Sequence, residues 1–510
     1  MAGMAEDAAT RVVRGSSLLL LGQLSSNLIA LGAFMIIARG ISKAEMGVAT
    51  IISLLITLGV ILSDAGVSVS VIRFISEARG KNTDFRPLAI ASIFTRGVLA
   101  VLYSAILMVL ANRITLLLLG STSNLILLYL AAISVIFTGF ATTFYSTLIG
   151  LDRMLGVCLS YILSSLIGYS LSVLLIIKGW GVMGYVLSWV LSGFIGSLVS
   201  GAFLIKAVSF SLNEGKKVLK AARMLIIFSA PMLITNLANY AFNCFDLFAL
   251  TSLASQEELG MYSVAMKAYT VITMIPMNIA MALFPYYGER YGQEKLSAIK
   301  TATSTVSRYL SLLYMPVALG LSAIAEPVLV VFAGAKYVGS SPMLMIFGFF
   351  GALTTFVPMM GYLMITYKRT KQYMAANLAS ITCALSLAPV LIPHLGALLG
   401  MALIRGVALL LLLIFYMLGI KNIASVDYQF FAKSLIGSSL MALAVYLIQA
   451  WLHEPFLLPL YVFVGAAVYG LYVRALKMLG YNDVVLLSRA LPGSLKRIVL
   501  SVGSLISHKK

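Results

Sequence analysis

Apolar runs of about 20 residues follow one another along almost the whole chain, and they limit its fold more than any other feature. A bilayer core about 30 Å thick is crossed by about 20 helical residues, so each run is long enough to span it. Within hydrocarbon every backbone N–H and C=O group needs a partner in the chain, which leaves only helices or closed barrels. The alternating pattern of barrel strands is absent. The sequence therefore predicts an all-α polytopic membrane protein.

Charged or Gly/Pro-rich breaks divide the chain into about 14 such runs. The composition, 61% hydrophobic and only 10% charged, lies outside the range of soluble domains. The runs predict transmembrane helices, numbered here as spans 1 to 14, near residues 17–38, 47–72, 88–111, 124–148, 155–177, 182–205, 224–252, 261–286, 305–331, 343–366, 373–392, 396–419, 433–452 and 457–476.

The basic residues indicate how the spans are oriented. The net charge of +19 comes from Lys and Arg residues in short loops between the spans, which favours a membrane surface over nucleic acid as the partner. If residue 1 is cytoplasmic, most of the 36 Lys and Arg residues lie in inner loops and tails. This asymmetry predicts a multi-pass protein of the cell membrane with both termini in the cytoplasm. Five basic residues then lie in outer loops: Arg39, Lys43, Arg113, Lys178 and Lys336.

Short matches between the two halves indicate an internal repeat. Glu45-Met46-Gly47 recurs as Glu258-Leu259-Gly260 at an offset of 213 residues, and Arg153 matches Arg369 at an offset of 216. Since six spans separate the copies, both would enter the membrane from the same side, as parallel pseudo-repeats. We therefore expect an amino-terminal lobe at 1–215 (spans 1–6), a carboxy-terminal lobe at 216–425 (spans 7–12), two extra helices at 426–476 and a basic amphipathic cytoplasmic tail at 477–510.

The sequence carries no signature of catalysis. It contains no GxxxxGK[ST] phosphate loop, and no inner loop is long enough for a nucleotide-binding domain, which excludes ATP hydrolysis by this chain. Cys158, Cys244 and Cys383 lie singly inside apolar runs, as packed thiols do. We therefore predict no catalytic residue, no metal and no cofactor.

Span 7 has a polar face. Asn236, Asn239, Asn243 and Asp246 follow one another at spacings of three, four and three residues, which places all four on one side of a helix. Lipid would not tolerate such a row. It predicts the lining of a water-filled cavity, or alternatively hydrogen bonds between packed helices, which contribute about 1 kcal/mol each.

Two pairs of ionisable residues lie at matching depths. Lys267 in span 8 and Asp246 in span 7 lie at a similar distance from the outer ends of their spans, and Asp64 in span 2 matches Arg96 in span 3. An intramembrane cation costs at least about 2.5 kcal/mol, so each needs a partner or a hydrated cavity. Lys267 and Asp246 are expected either to act on a substrate or to form a structural salt bridge. The pair of Asp64 and Arg96 is expected to fix span 2, or to break in one access state.

Span 1 adds a milder polar face. Gln23 and Asn27 lie one helical turn apart, together with Ser26. Hydrogen bonds to sugar hydroxyls are one interpretation of this face. Ordinary contacts with neighbouring helices are the other.

Several motifs resemble those of one known family. Ala38–Gly47 resembles the loop between the first two helices of polysaccharide transporters, which belong to the multidrug, oligosaccharidyl-lipid and polysaccharide exporter superfamily. Leu62–Gly66 is similar to that family's Asp-x-Gly segment, and Glu258–Ser263 with Ala282–Pro285 resembles its eighth-helix signature.

The resemblance implies a flippase of the O-antigen type that moves a lipid-linked oligosaccharide between leaflets, with spans 1, 2, 7 and 8 lining a central cavity. Lys267 would attract the phosphate or pyrophosphate of the glycolipid. Asp246 would release it, act as a gate, or take up the coupling ion, H⁺ or Na⁺. Membrane lipids and glycan-assembly enzymes are the further partners implied.

Three other functions remain open at this point. An H⁺- or Na⁺-coupled drug or metabolite exporter of the same superfamily usually has twelve helices, which spans 13 and 14 argue against. A membrane glycan polymerase would need acidic catalytic residues and an extended outer loop. A scaffold that recruits glycan-assembly enzymes would keep its function after Lys267 and Asp246 were neutralised.

Overall fold

The helices begin and end where glycine, proline and charge interrupt the apolar sequence. The computed structural model describes residues 2–208, 215–421, 423, 425–452 and 454–480, with side chains from residue 17 onward. The regular elements of this part of the chain are helices. The predicted all-α polytopic class is therefore confirmed.

The first 263 residues form one compact unit. Within it α-helical neighbours pack through small side chains, and the core is closed by Leu148, Val157, Leu204 and Leu225, each buried. The helices of this unit are α1 (Ala2–Gly40), α2 (Lys43–Asp64), α3 (Val67–Gly80), α4 (Arg86–Val109), α5 (Ala111–Leu119), α6 (Leu125–Gly150), α7 (Met154–Ile177), α8 (Gly181–Ala207), α9 (Gly215–Leu253) and the first turns of α10 (Gln256–Gly292).

The predicted span 2 is broken into two helices. α2 ends at Asp64, and Ala65 and Gly66 then adopt left-handed backbone angles, with φ of 46° and 81°, before α3 begins at Val67. A β-carbon on Gly66 would lie 2.7 Å from the Cβ atom of Met232 on α9, so only glycine fits this turn. The two helices still read as one apolar stretch, Lys43–Gly80, by hydropathy.

Residues 264–510 form the second unit. α11 packs against α13 and α17, and α15 against α16. Leu312, Met441 and Val473 bury a shared apolar contact between α11, α17 and α18. Its helices after α10 are α11 (Leu296–Ala323), α12 (Ala325–Ala333), α13 (Ser341–Leu353), α14 (Val357–Thr366), α15 (Thr370–Leu385), α16 (Ala388–Gly419), α17 (Tyr428–Leu452) and α18 (Leu458–Ala475).

The predicted spans all correspond to helical segments of the described chain. Eleven helices are long and apolar enough to cross a membrane, and thirteen if two bent pairs are each one span. The bent pairs are α11 with α12, at 82°, and α13 with α14, at 48°. The remaining prediction, 373–392, overlaps α15, which has only 16 residues. α16 follows closely and is itself interrupted at Gly396, where φ is 78°.

The predicted limits of the lobes stay predictions. The carboxy-terminal tail predicted at 477–510 lies outside the described residues beyond position 480, and the amino-terminal lobe limit at 215 adjoins the undescribed segment 209–214.

Candidate functional site

The predicted row of amides lies on α9, and the structure separates its members by exposure. Asn243 is exposed, and its side-chain amide donates to the carbonyl oxygen of Asn239 at 2.9 Å. Asn236 and Asn239 are half-buried, whereas Asp246 is 0% exposed. The three amides therefore give unit 1 an accessible polar surface, and the carboxylate belongs to its interior.

Asp246 contacts the first turns of α10. The hydroxyl of Tyr262 donates to its carboxylate at 2.6 Å, and both side chains are 0% exposed. A buried carboxylate needs such donors because it loses its hydration on burial. Tyr262 lies within the Glu258–Ser263 motif, but sequence reasoning did not predict it as the partner of Asp246. Tyr262 lies 16 residues after Asp246, across the α9–α10 connection. If the two helices are assumed to pack as a hairpin, this spacing could have indicated the contact.

Lys267 lies on α10 at an exposed position between buried neighbours. Val264, Ala265, Ala268 and Tyr269 are all buried, whereas Lys267 is exposed. Lys267 and Asp246 fall in different units, so their predicted pairing stays a prediction. The side chain of Lys267 is thus exposed, and its role in binding an anion stays a prediction.

α1 presents the second predicted polar face. Gln23 is exposed and Asn27 half-buried. Ser26, between them, shares a hydrogen bond with Ser165 of α7. Gly22 lets the helices meet, since a β-carbon there would lie 2.8 Å from the Cα atom of Cys158. The serine thus binds a neighbouring helix, while Gln23 remains accessible.

The structure brings Asp64 and Arg96 together. Their side chains form a salt bridge in which Arg96 is 1% and Asp64 14% exposed. Nη2 of Arg96 also donates to the carbonyl of Val60 at 3.1 Å and to the hydroxyl of Thr142 at 3.0 Å. The carboxylate in turn accepts from the backbone N–H of Ser68 at 3.2 Å. This network joins α2, α3, α4 and α6 at the break after Asp64.

α3 is held to α9 by contacts that sequence reasoning missed. The hydroxyls of Ser70 and Ser229 lie 2.6 Å apart, and the Arg73 guanidinium lies 4.6 Å from the ring centre of Phe228. Small hydroxyls and lone aromatic rings are frequent in every span, so their pairing has no sequence signature. These contacts fix α3 against the helix that carries the amides.

The repeated loop motifs form matching caps. At the start of α2, Glu45 N–H donates to the Ser42 hydroxyl at 3.1 Å, and Ser42 N–H donates to the Glu45 carboxylate at 2.8 Å. Ser255 and Glu258 exchange the same bonds at the start of α10, at 3.3 and 2.8 Å. Each is a capping box, which satisfies amide groups that the first turn leaves without partners.

The predicted acidic site residues, Asp64 and Asp246, do not belong to a metal-binding cluster among the described residues. In the described part of the chain, no three His, Cys, Asp or Glu side chains lie close enough to hold a metal ion. Asp64 and Asp246 are instead each held by hydrogen-bond donors from a neighbouring helix. The amides of α9 and Lys267 are at least partly exposed, and their role in binding a polar or anionic molecule stays a prediction.

Two family profiles match this chain. The profile of the family described as Polysaccharide biosynthesis protein matches residues 12–291, and the profile of the family described as MatE matches residues 231–390. No curated protein matches this chain significantly in sequence. The resemblance of the loop and helix motifs to polysaccharide transporters is thus confirmed over the first half of the chain.

Solved structures share the fold at low sequence identity. The lipid II flippase MurJ in an inward closed conformation matches with a TM-score of 0.68 at 15% identity, over 92% of this chain and 99% of that chain. An inward-facing multidrug resistance MATE family transporter matches with a TM-score of 0.59 at 16% identity, over 78% and 95%. VcmN, a MATE transporter of Vibrio cholerae, matches with a TM-score of 0.58 at 15% identity, over 82% and 98%.

These families and structural neighbours are transporters and flippases, not enzymes. Multiple apolar helices and the shared fold identify a multi-pass membrane protein. Because the first profile covers more than half of its 510 residues, the chain belongs to the polysaccharide biosynthesis protein family.

Proposed function

We propose that this protein moves a polyprenyl- or dolichyl-(pyro)phosphate-linked oligosaccharide from the cytoplasmic to the outer leaflet by alternating access. One observation carries the proposal: an apolar helix long enough to cross the membrane, α9, presents accessible amides at Asn239 and Asn243. Amide groups facing hydrocarbon lose their hydrogen bonds to water, so this face is suited to a hydrated passage. Amides and the exposed Gln23 both donate and accept hydrogen bonds, as sugar hydroxyls require.

Lys267 gives the proposed passage an anion-binding group. A lipid-linked glycan carries its charge on a phosphate or pyrophosphate, and an accessible ammonium attracts such a group as a point charge. Asp246, buried beside Tyr262, is the carboxylate that would take up H⁺ or Na⁺ as the coupling ion. The family description and the lipid II flippase neighbour support a lipid-linked substrate.

A coupled drug or metabolite exporter is the second candidate function. The MatE profile over residues 231–390 and the MATE transporter structures favour it. It would use the same Asp246 as its coupling group, with an unattached organic molecule in place of the glycolipid. The basic inner loops support the proposed location in the cell membrane with both termini in the cytoplasm.

Reconstituted vesicles separate the two functions. A polyprenyl-pyrophosphate-linked disaccharide is placed in the inner leaflet of vesicles that contain the full-length protein, and its arrival outside is measured with a membrane-impermeant lectin. We expect transport by the native chain, loss of transport in Lys267→Ala and in the double variant Asn239→Leu/Asn243→Leu, and native transport in the control Lys371→Ala, an exposed lysine on α15.

The exporter arm uses the same vesicles loaded with an organic cation under an imposed pH or Na⁺ gradient. Glycolipid transport that survives Lys267→Ala in folded protein would remove this lysine from the mechanism. Gradient-driven loss of the cation, without movement of the glycolipid, would replace the flippase with the exporter.

A further inference from the structure

Unit 1 contains a cavity of about 360 Å³ at the ends of helices on the predicted inner side. This volume lies within the range of small-molecule sites, about 300–1,000 Å³. Its lining comes from the end of α3, the residue before α4, the turn between α6 and α7, and the end of α8. The lining residues are Arg79, Phe85, Leu151, Asp152, Arg153 and Ala207.

The two arginines are held in different ways. Arg79 donates through Nη1 to the carbonyl of Gly150 at 3.1 Å, and its Nη2 lies 3.9 Å from the carboxylate of Asp152. Arg153 is exposed, and in the described part of the chain, which leaves out residues 1, 209–214, 422, 424, 453 and 481–510, its guanidinium has no hydrogen bond or ion pair. Arg79 is therefore oriented by the fold, while the positive charge of Arg153 is available to a ligand.

Other acids of the described loops around the cavity already face basic partners. Of the nearby acids, Glu77 pairs with Lys81 at 2.6 Å, and Asp84 lies 3.7 Å from Arg86. Arg153 also precedes the first turn of α7, and no side chain caps that end of the helix. Amide groups at a helix amino terminus favour an anion. Guanidinium groups and uncapped amides together suit the oxygens of a phosphate.

The repeat provides a comparison within the same chain. Asp152 and Lys368 adopt the same left-handed turn, with φ of 60° and 58°, and each is followed by an arginine. In unit 2, however, the side chain of Arg369 donates to the carbonyl of Gly419 at the end of α16. The second arginine is thus used to cap a helix, whereas Arg153 faces a cavity.

We propose that this cavity binds a phosphate group, presented either by an anionic phospholipid at the inner membrane surface or by a soluble phosphate compound. Arg153 and Arg79 hold the phosphate oxygens, and Phe85 covers the apolar side of the site. Asp152 opposes the bound charge. This site lies apart from the amides of α9, and its occupancy is measured without any transport assay.

Lipid retention on the purified full-length protein tests the proposal. Protein in detergent is titrated with phosphatidylglycerol or phosphatidylcholine, and bound lipid is counted by native mass spectrometry, with inorganic phosphate as competitor. We expect preferential binding of phosphatidylglycerol, about fivefold weaker in Arg153→Gln, given about 1 kcal/mol for each basic residue near an anionic head group. Asp152→Asn should strengthen binding because it removes a negative charge.

Arg86→Gln is the control, since Arg86 is an exposed arginine at the start of α4, next to Phe85, that is outside the cavity lining. It should bind as the native chain does. Competition by inorganic phosphate would identify a site for soluble phosphate, and its failure would identify a site for the lipid. Equal retention of both lipids without phosphate binding, or equal losses in Arg153→Gln and Arg86→Gln, would overturn the proposal.

Discussion

Gly47 and Gly260 hold equivalent positions in the repeat, and each packs against the backbone at the start of the other's helix. A β-carbon on Gly47 would collide with the carbonyl oxygen of Gln256, and one on Gly260 with the carbonyl oxygen of Lys43. The amino-terminal ends of α2 and α10 thus meet backbone to backbone. Glycine at both positions is what allows this approach.

We predict that Gly47→Ala and Gly260→Ala each destabilise the protein by about 1–3 kcal/mol, since backbone atoms must move to admit a methyl group. Gly32→Ala is the matched control, because nothing lies within 4 Å of a β-carbon there. It should be neutral or stabilise helix α1 by up to about 1 kcal/mol. Unfolding of the purified variants in detergent measures the difference. Equal stability of all three would contradict the contact.

Removing one charge of the Asp64–Arg96 pair should destabilise the protein more than removing both charges. Arg96→Met leaves a carboxylate, and Asp64→Asn leaves a guanidinium that is 1% exposed. We expect each single variant to lose about 3–5 kcal/mol of stability, and the double variant Asp64→Asn/Arg96→Met to recover part of that loss.

A second measurement on the same variants separates structure from transport. If the pair only fixes α2, the double variant should both fold and transport glycolipid in vesicles. A folded double variant without transport would assign the pair to the access cycle.

Tyr262→Phe should destabilise the protein more than Tyr240→Phe. The Tyr262 hydroxyl donates to the carboxylate of Asp246, whereas the Tyr240 hydroxyl donates at the same distance, 2.6 Å, to the neutral carbonyl of Leu54. Hydrogen bonds to charged groups contribute about 1.5–3 kcal/mol, and neutral ones about 0.5–1.5 kcal/mol. Unfolding midpoints of the two variants, compared in one detergent, provide the test. The reverse order would contradict a stronger bond from Tyr262 than from Tyr240.

Glu45→Ala should be more harmful than Glu258→Ala although both residues complete capping boxes. Besides Ser42, Glu45 accepts from the backbone N–H of Val182 at 3.1 Å and so caps α8 as well as α2. Losing one cap costs about 1 kcal/mol, so the second cap predicts about twice that loss. Thermal unfolding of both variants checks this, with Glu257→Ala as the control. Equal losses would mean that the bond to Val182 contributes nothing.

The ionisable residues within the spans are the part of the candidate site that could be predicted from the sequence alone. Asp64 and Arg96 could be matched because few ionisable groups lie within the spans, so depth along the helix indicated the partner. The same argument could not find Tyr262. Hydroxyl groups are frequent in the spans, and only the 16-residue spacing between Asp246 and Tyr262 across the α9–α10 connection could have indicated this one as the partner.

Hydropathy predicted the helices but not their breaks. The segment from Lys43 to Gly80 passes as a single apolar span, so its mean hydropathy does not mark the left-handed turn at Ala65 and Gly66. The local signal is Asp64 followed two residues later by glycine, a sequence that favours turns. The cavity beside Arg153 was hidden for another reason: four separate helix ends form it, and only the folded chain brings them together.

The turn after Asp64 also determines which residue of the Asp64–Arg96 pair must carry the negative charge. Its carboxylate accepts from Ser68 N–H, the second residue of α3, at 3.2 Å, while Arg96 neutralises it from α4. Exchanging the two charges would preserve the ion pair but aim a guanidinium at the amino terminus of α3, where the helix dipole repels a cation. A reversed pair would therefore not substitute for the native one. The stability of this bundle therefore depends on which residue carries each charge, and not only on the sum of the two charges.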